Sequence, residues 1–185
     1  YTPIFRADIA AVNVTPQIVA SGMDLNFVPV GFLGTKARLK GADVAIVGDE
    51  IFMIGYPAGI YDKRNALPIW RIGIIATSPL LGYSFPDKMQ KDLNLPAFID
   101  GFLIDAHVYP GSSGSAVVVK PGAVSFDKPN VLAAGGSRSI TYVLGLISGS
   151  VPMGDFGGKV LTRIGIGIVQ SADAINETIE AFFKE

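Results

Sequence analysis

Short apolar runs broken by glycine and proline are the feature that most constrains the fold of this chain. The 22 glycines and 12 prolines are scattered between β-rich segments rather than gathered in one linker. This spacing is typical of many short strands joined by tight turns. Of the 185 residues, 49% are hydrophobic and only 17% are charged, which favours a single domain with an extensive core over disorder. We therefore expect an all-β domain.

The hydrophobic pattern predicts where the strands lie. Two are expected in the first part of the chain, over 5–14 and 25–30, followed by a hairpin over 44–56 that turns at Gly48 and Asp49. Six more strands are expected, over 69–77, 102–106, 115–119, 131–134, 142–147 and 161–169. Closely spaced short strands of this kind indicate a barrel or a sandwich.

Two segments depart from the strand pattern. Residues 83–100 are polar and lack a clean period, which predicts a loop with at most one helical turn near 88–93. The C-terminus alone has helical spacing, because Ser171 can serve as N-cap and the apolar residues that follow it fall on one face. These residues are Ile175, Ile179, Phe182 and Phe183. One helix is therefore expected to close the domain.

Composition excludes several classes of function. A formal net charge of −1 provides no general attraction for nucleic acid, and no apolar run reaches the ~20 residues of a membrane span. Without cysteine and with a single histidine, no structural zinc site is expected, and no segment has the glycine spacing of a phosphate-binding loop. We expect no metal, no cofactor and no nucleic-acid partner. Cysteine-free proteins occur in both redox compartments, so composition assigns none.

The strongest local motif is Gly111-Ser112-Ser113-Gly114-Ser115. Taken alone it is a Ser/Gly turn between two strands, which is a common structure. Glycines that flank a serine also allow the backbone to fold tightly, so that the amides of Gly111 and Ser113 can point at one spot beside the Ser113 hydroxyl. The segment 105–117 resembles the nucleophile loop of trypsin-like serine peptidases related to the Deg proteins.

Further segments resemble the same family in the same order. Residues 48–59 look like its segment at the end of the first barrel, and residues 71–77 look like the strand that opens the second. After the serine, residues 144–149 and 164–169 resemble two later strands, and the predicted C-terminal helix resembles the closing helix of the family. The resemblance runs from about Ala7 to the end and thins over 83–100 and 120–142.

The resemblance implies a fold of two antiparallel Greek-key β-barrels and a C-terminal α-helix. On this interpretation residues 1–185 form one peptidase domain, in which 1–66 are the remainder of an incomplete first barrel, 67–170 the second barrel and 171–185 the helix. The chain begins at Tyr1 rather than Met, so we expect that the opening strands of the first barrel were removed.

The resemblance also assigns catalytic residues. Ser113 is the expected nucleophile, and the amides of Gly111 and Ser113 form the expected oxyanion hole. Asp8 matches the segment that carries the aspartate of the triad; the alternative is an aspartate that begins or caps an exposed strand. The base of this family is a histidine upstream of the aspartate, and none of the seven residues before Asp8 is histidine.

Substrate-binding residues follow from the same resemblance. Leu146, Ile147, Ser148 and Gly149 match the strand that lines the specificity pocket and pairs with the substrate backbone. His107, six residues before Ser113, matches the base of that pocket, where it could donate to an acidic or amide side chain. A core histidine satisfied by a backbone carbonyl is the interpretation that the sequence favours instead.

The expected function is serine endopeptidase, which hydrolyses peptide or protein substrates through an acyl-enzyme on Ser113 and is inactive in a chain that lacks the base. The alternative is a catalytically inert binding module of the same fold, which uses the cleft to hold peptides.

Overall fold

Six antiparallel strands close into one barrel in the computed structural model, which describes residues 7–22, 27–40, 45–120, 141–154 and 161–184. In chain order the strands are β1 (Glu50–Gly55), β2 (Ile69–Ile75), β3 (Tyr83–Ser84), β4 (Phe98–Ile99), β5 (Gly101–Asp105), β6 (Ala116–Val119), β7 (Val143–Gly154) and β8 (Leu161–Ser171). The helices are α1 (Thr15–Ser21), α2 (Lys36–Leu39), α3 (Asp87–Leu93) and α4 (Ala172–Phe182), with 3₁₀ turns at Val30–Phe32 and Pro57–Gly59.

The strand order of the barrel is that of a Greek key. The closed sheet runs β1-β2-β5-β8-β7-β6, and β6 returns to pair with β1. The first three barrel strands therefore lie side by side and the fourth returns beside the first, which defines the Greek-key arrangement. The expected antiparallel barrel with a C-terminal helix is confirmed.

The barrel interior is filled by the inward-facing residues of each strand. β1 shows the alternation directly, since Ile51 and Met53 are buried while Glu50 is exposed. Side chains that are at most 1% exposed fill the centre: Ile51, Met53, Ile75, Phe102, Ile104, Val117, Leu144, Ile147 and Val169. A second apolar cluster, around Phe85 and Ile99, joins the short β3–β4 sheet to the barrel.

The segment over 83–100 has more structure than the expected loop. Its two ends pair as β3 and β4, and α3 lies between them. The expected helical turn is therefore confirmed and slightly longer. Asn94, with φ 52°, ends α3 in the left-handed conformation that asparagine tolerates at such a position.

The C-terminal helix begins as expected and is docked by polar contacts. The Ser171 hydroxyl accepts a hydrogen bond from the Ala174 N–H at 3.2 Å, which makes it the N-cap, and also donates to Asp100 at 3.4 Å. Asp100 forms an ion pair with Lys36, whose own N–H donates to the Asp173 carboxylate at 2.9 Å. These contacts hold α2 against the beginning of α4. Phe182 and Phe183, expected on the buried face, are exposed.

Three expectations from the sequence are wrong. The described part of 5–14 and 25–30 contains no strand. A strand needs a neighbouring strand to pair with its backbone groups, and the first of these segments instead leads into α1, which has a proline near its start. The hairpin expected over 44–56 is a turn followed by the single strand β1. β1 is itself a barrel strand, so the closed barrel begins at Glu50 and not at 67. The strand expected over 131–134 lies outside the described residues.

Replacing Ser171 with alanine should weaken the fold. Loss of the N-cap hydrogen bond to Ala174 should lower the free energy of unfolding by about 1 kcal/mol. Urea denaturation followed by circular dichroism measures this change. Ser84→Ala is the matched control, since Ser84 is exposed on the two-residue strand β3. Equal stability of the two variants would contradict the cap assignment.

Candidate functional site

The loop that connects β5 to β6 contains the glycine-flanked serine motif. Backbone hydrogen bonds fold it into two tight turns, from the Ser112 N–H to the Tyr109 carbonyl at 3.0 Å and from the Ser115 N–H to the Ser112 carbonyl at 3.0 Å. The Gly114 N–H donates to the Ile147 carbonyl at 2.7 Å and fixes the loop to β7. We call residues 107–115 the serine loop.

The three serines of the motif have different environments. Ser112 is fully buried and Ser115 is 4% exposed, whereas Ser113 is exposed. The Ser113 hydroxyl donates a hydrogen bond to the Ser148 carbonyl at 3.3 Å. Ser113 is therefore the one serine of the motif that a molecule in solution can reach.

Two glycines of the loop have left-handed backbone angles. Gly111 has φ 82° and Gly114 has φ 81°, a region that L side chains rarely occupy. At Gly111 space is also restricted, because a Cβ there would lie 3.1 Å from the Ala58 nitrogen and 3.2 Å from the Tyr56 oxygen. At Gly114 no heavy atom lies within 4 Å of such a Cβ. Glycine is thus required at position 111 both by its left-handed backbone angle and by the close approach of backbone atoms of Ala58 and Tyr56.

The peptide group between Pro110 and Gly111 is held from one side. The Ala58 N–H donates to the Pro110 carbonyl at 2.7 Å. In a trans peptide the carbonyl and the following N–H point in opposite directions, so this bond orients the Gly111 N–H away from Ala58. Ala58 itself has φ 51°, an uncommon angle for a residue with a side chain. Among the described residues, no acceptor takes a hydrogen bond from the N–H of Gly111 or of Ser113.

A pocket of about 460 Å³ opens beside Ser113. Its walls come from the serine loop on one side and from β7 on the other. The lining residues are Val108, Tyr109, Pro110, Ser113, Ser148, Gly149, Ser150 and Pro152. Of the residues expected to bind substrate, Ser148 and Gly149 line this pocket. Ile147 is instead a buried core residue, and Leu146 is half-buried and absent from the lining.

Ser148 occupies an irregular position in β7. The pairing of β7 with β8 shifts register between Ile147 and Gly149, so Ser148 is the extra residue of a bulge. Its hydroxyl donates to the Ile168 carbonyl at 3.5 Å and accepts from the Gln170 side chain at 3.2 Å. Gln170 is a buried polar residue of β8 that the sequence analysis did not single out.

His107 and Asp8 lie outside the pocket lining. His107 is exposed and its ring stacks on Tyr109 with 6.3 Å between centroids, so the interpretation as a core histidine is wrong. Asp8 lies exposed in a bend before α1 and makes no hydrogen bond or ion pair with any described residue. The catalytic roles of Asp8 and Ser113, and the pocket role of His107, stay predictions.

Arg71 is the side chain that sequence reasoning missed. From β2 it donates to the His107 carbonyl and, at 3.0 Å, to the Ser112 hydroxyl, and its guanidinium carbon lies 5.7 Å from the centroid of the Tyr109 ring. Burial lowers the pKa of Arg71, and Tyr109 partly opposes this shift. The sequence pattern misleads here: it would place the apolar Trp70, Ile72 and Ile74 inside, but these are exposed, and Arg71 faces inward with the buried Gly73 and Ile75.

Among the described residues no group of three or more His, Cys, Asp or Glu side chains could hold a metal ion. None of the described helices is long and apolar enough to cross a bilayer.

Comparisons with known proteins give one structural likeness to report. No family model matches the sequence, and no curated protein matches it. Among solved structures, the chain is similar to Rv3671c from M. tuberculosis H37Rv, a Ser343Ala mutant in an inactive form, with 17% identity and a TM-score of 0.44. The match covers 78% of this chain and 52% of that chain, so this chain spans about half of its length.

Alanine should be tolerated differently at the two loop glycines. Both positions have the same backbone strain, about 1–2 kcal/mol for a left-handed residue. Gly111→Ala adds the contact with Ala58 and Tyr56, so we expect it to lower the free energy of unfolding by at least about 1 kcal/mol more than Gly114→Ala does. Chemical denaturation of both variants measures the difference. If Gly114→Ala were equally destabilising, the close approach at Gly111 would be unimportant.

Proposed function

We propose that this chain carries the nucleophile side of a serine endopeptidase active site, with Ser113 as the nucleophile. The observation that carries the proposal is the exposure of Ser113, alone among the motif serines, beside a pocket and two unpaired amides. The resemblance of the sequence to trypsin-like peptidases supports the same choice. The proposed reaction is hydrolysis of a peptide bond.

The unpaired amides suit an oxyanion hole. When Ser113 Oγ attacks a peptide carbonyl, the carbonyl oxygen gains negative charge, and hydrogen-bond donors already oriented toward it lower the barrier. The N–H groups of Gly111 and Ser113 belong to the two successive tight turns of the serine loop, and the bond between Ala58 and Pro110 fixes the direction of the first. A donor that is already oriented requires no reorganisation during the reaction.

The free edge of β7 suits an extended peptide. Among the described residues β7 pairs with β6 only as far as Leu146, and beyond the bulge it pairs with β8 alone. Residues 148–152 therefore offer backbone groups along the pocket to which a substrate strand can add. Ser148 and Gly149 would then bind substrate backbone, and the pocket would receive one side chain.

The reaction needs a base from outside the serine loop. The Ser148 carbonyl orients the Ser113 hydroxyl but is far too weak a base to accept its proton. His107 is the single histidine in the sequence and is absent from the pocket lining. We propose that an imidazole supplied by another segment or chain takes the proton, attack forms the Ser113 ester, the same group protonates the leaving amine, and water then hydrolyses the ester. The proposed role of Asp8, to orient that base, rests on the resemblance alone.

Fluorophosphonate labelling with added imidazole tests the nucleophile. In the 185-residue chain, free imidazole can accept the Ser113 proton as a P–O bond forms and fluoride leaves, so we expect labelling that rises with imidazole concentration. Ser113→Ala should abolish it. Ser150→Ala, which removes another serine of the same pocket, should leave it unchanged. Labelling that survives in Ser113→Ala, as detected by intact-protein mass spectrometry, would refute the assignment.

A catalytically inert peptide-binding module is the second candidate. It is favoured by the absence from this sequence of any histidine other than His107, which leaves Ser113 without a base inside the chain. The free edge of β7 would then hold an extended peptide without cleaving it. Peptide binding together with no labelling at any imidazole concentration would select this function over peptidase activity.

A further inference from the structure

Arg71 is a cation at an inward-facing position of the barrel. In the β1–β2 register it lies opposite Met53, which is buried, and the next inward positions on its strand are the buried Gly73 and Ile75. No described carboxylate forms an ion pair with it. Its Nε is buried and has no hydrogen-bond partner among the described residues. Arg71 is half-buried, and a buried donor without a partner on a cation without an ion pair is unfavourable for folding.

Both amino groups of the guanidinium donate to one segment. One amino group donates to the His107 carbonyl, the other donates to the Ser112 hydroxyl, and the planar group contacts the face of Tyr109. The rigid fork of an arginine can hold two acceptors at fixed separation, which the single ammonium of lysine cannot do. Arg71 therefore joins β2 to three residues of the serine loop.

Ser112 transmits this contact to the Ser113 amide. Its hydroxyl accepts from Arg71 and also from the Tyr109 N–H at 3.3 Å, and the residue is fully buried. The two peptide groups that flank Ser112 connect it to Gly111 and Ser113. A fixed Ser112 thus constrains the direction of the Ser113 N–H, which belongs to the peptide group that follows it, whereas the Gly111 N–H is oriented by the bond between Ala58 and Pro110.

We propose that Arg71 is a positioning residue that holds the serine loop in the geometry required for attack by Ser113. The inference rests on the proposed function and deepens it, because it assigns the orientation of one proposed oxyanion donor, the Ser113 N–H, to a charge on a different strand. Arg71 is half-buried and forms no ion pair with a described carboxylate, so we expect an apolar side chain of similar length to be tolerated at this position with little change in stability. A role of Arg71 in positioning the serine loop can therefore be distinguished experimentally from a role in stabilising the fold.

Arg71→Met and Arg71→Lys test the proposal in the 185-residue chain. Methionine keeps length and apolar contact but removes every donor, whereas lysine keeps the charge but presents its rotatable donors from a single nitrogen, without the planar fork. For Arg71→Met we expect a Tm within about 4 °C of the parent or above it. We expect amide exchange in residues 107–114 to be at least about tenfold faster, the effect of losing one hydrogen bond to a charged donor. Imidazole-dependent fluorophosphonate labelling of Ser113 should be slower by a similar factor.

Arg64→Met is the control for loss of one positive charge, since Arg64 is exposed in the loop between β1 and β2. It should match the parent in all three measurements, and Arg71→Lys should lie between the parent and Arg71→Met. Unchanged exchange in the serine loop of Arg71→Met would overturn the proposal, as would a fall in Tm with faster exchange throughout the barrel. If the parent is never labelled, the proposed function fails while the exchange measurement still decides whether Arg71 positions the loop.

Discussion

Closure of the barrel between β1 and β6 is the constraint on which the rest of the structure depends. An open sheet would leave unpaired backbone groups on both edges, and the register from Ile51 with Val119 to Ile54 with Ala116 removes them. Closure also determines where the serine loop lies, because β6 must return from β5 to the opposite side of the barrel. The loop crosses the barrel end with β1, β2 and β7 beside it, and each contributes contacts near Ser113.

Polar groups around the loop are held by neighbours from separate parts of the chain. Ala58 orients the Pro110 carbonyl from the turn after β1, Arg71 reaches Ser112 from β2, and Ile147 receives the Gly114 N–H in β7. Ser112 is fully buried, and a buried polar group destabilises the fold unless it is paired, so its contact with Arg71 fixes the loop as well as satisfying the hydroxyl. The pocket thus has one wall defined by hydrogen bonds and another defined by the bulge at Ser148.

The sequence predicts the parts of this structure that depend on local pattern. Alternation located β2, β5, β6 and β8, and the combination of Ser171 with apolar spacing located the start of α4. Alternation failed before β1, because extended segments become strands only where a neighbouring edge is available, and no local signal reports that edge. The glycine-flanked Ser113 could be singled out in the same way, but Arg71 and Gln170 could not, since their partners lie 41 and 22 residues away in the chain.

The contact between Arg71 and Ser112 also constrains how sequences of this type diverge. An aspartate at 112 would turn the contact into a buried ion pair. An asparagine at 112 could instead form hydrogen bonds between its side-chain amide and the loop, so that position 71 would no longer need a donor and could be apolar. The two positions should therefore change together among relatives, although they lie on different elements. Paired substitution at positions 71 and 112 would indicate that the contact between them positions the loop. It can be detected by comparing sequences, without any measurement of activity.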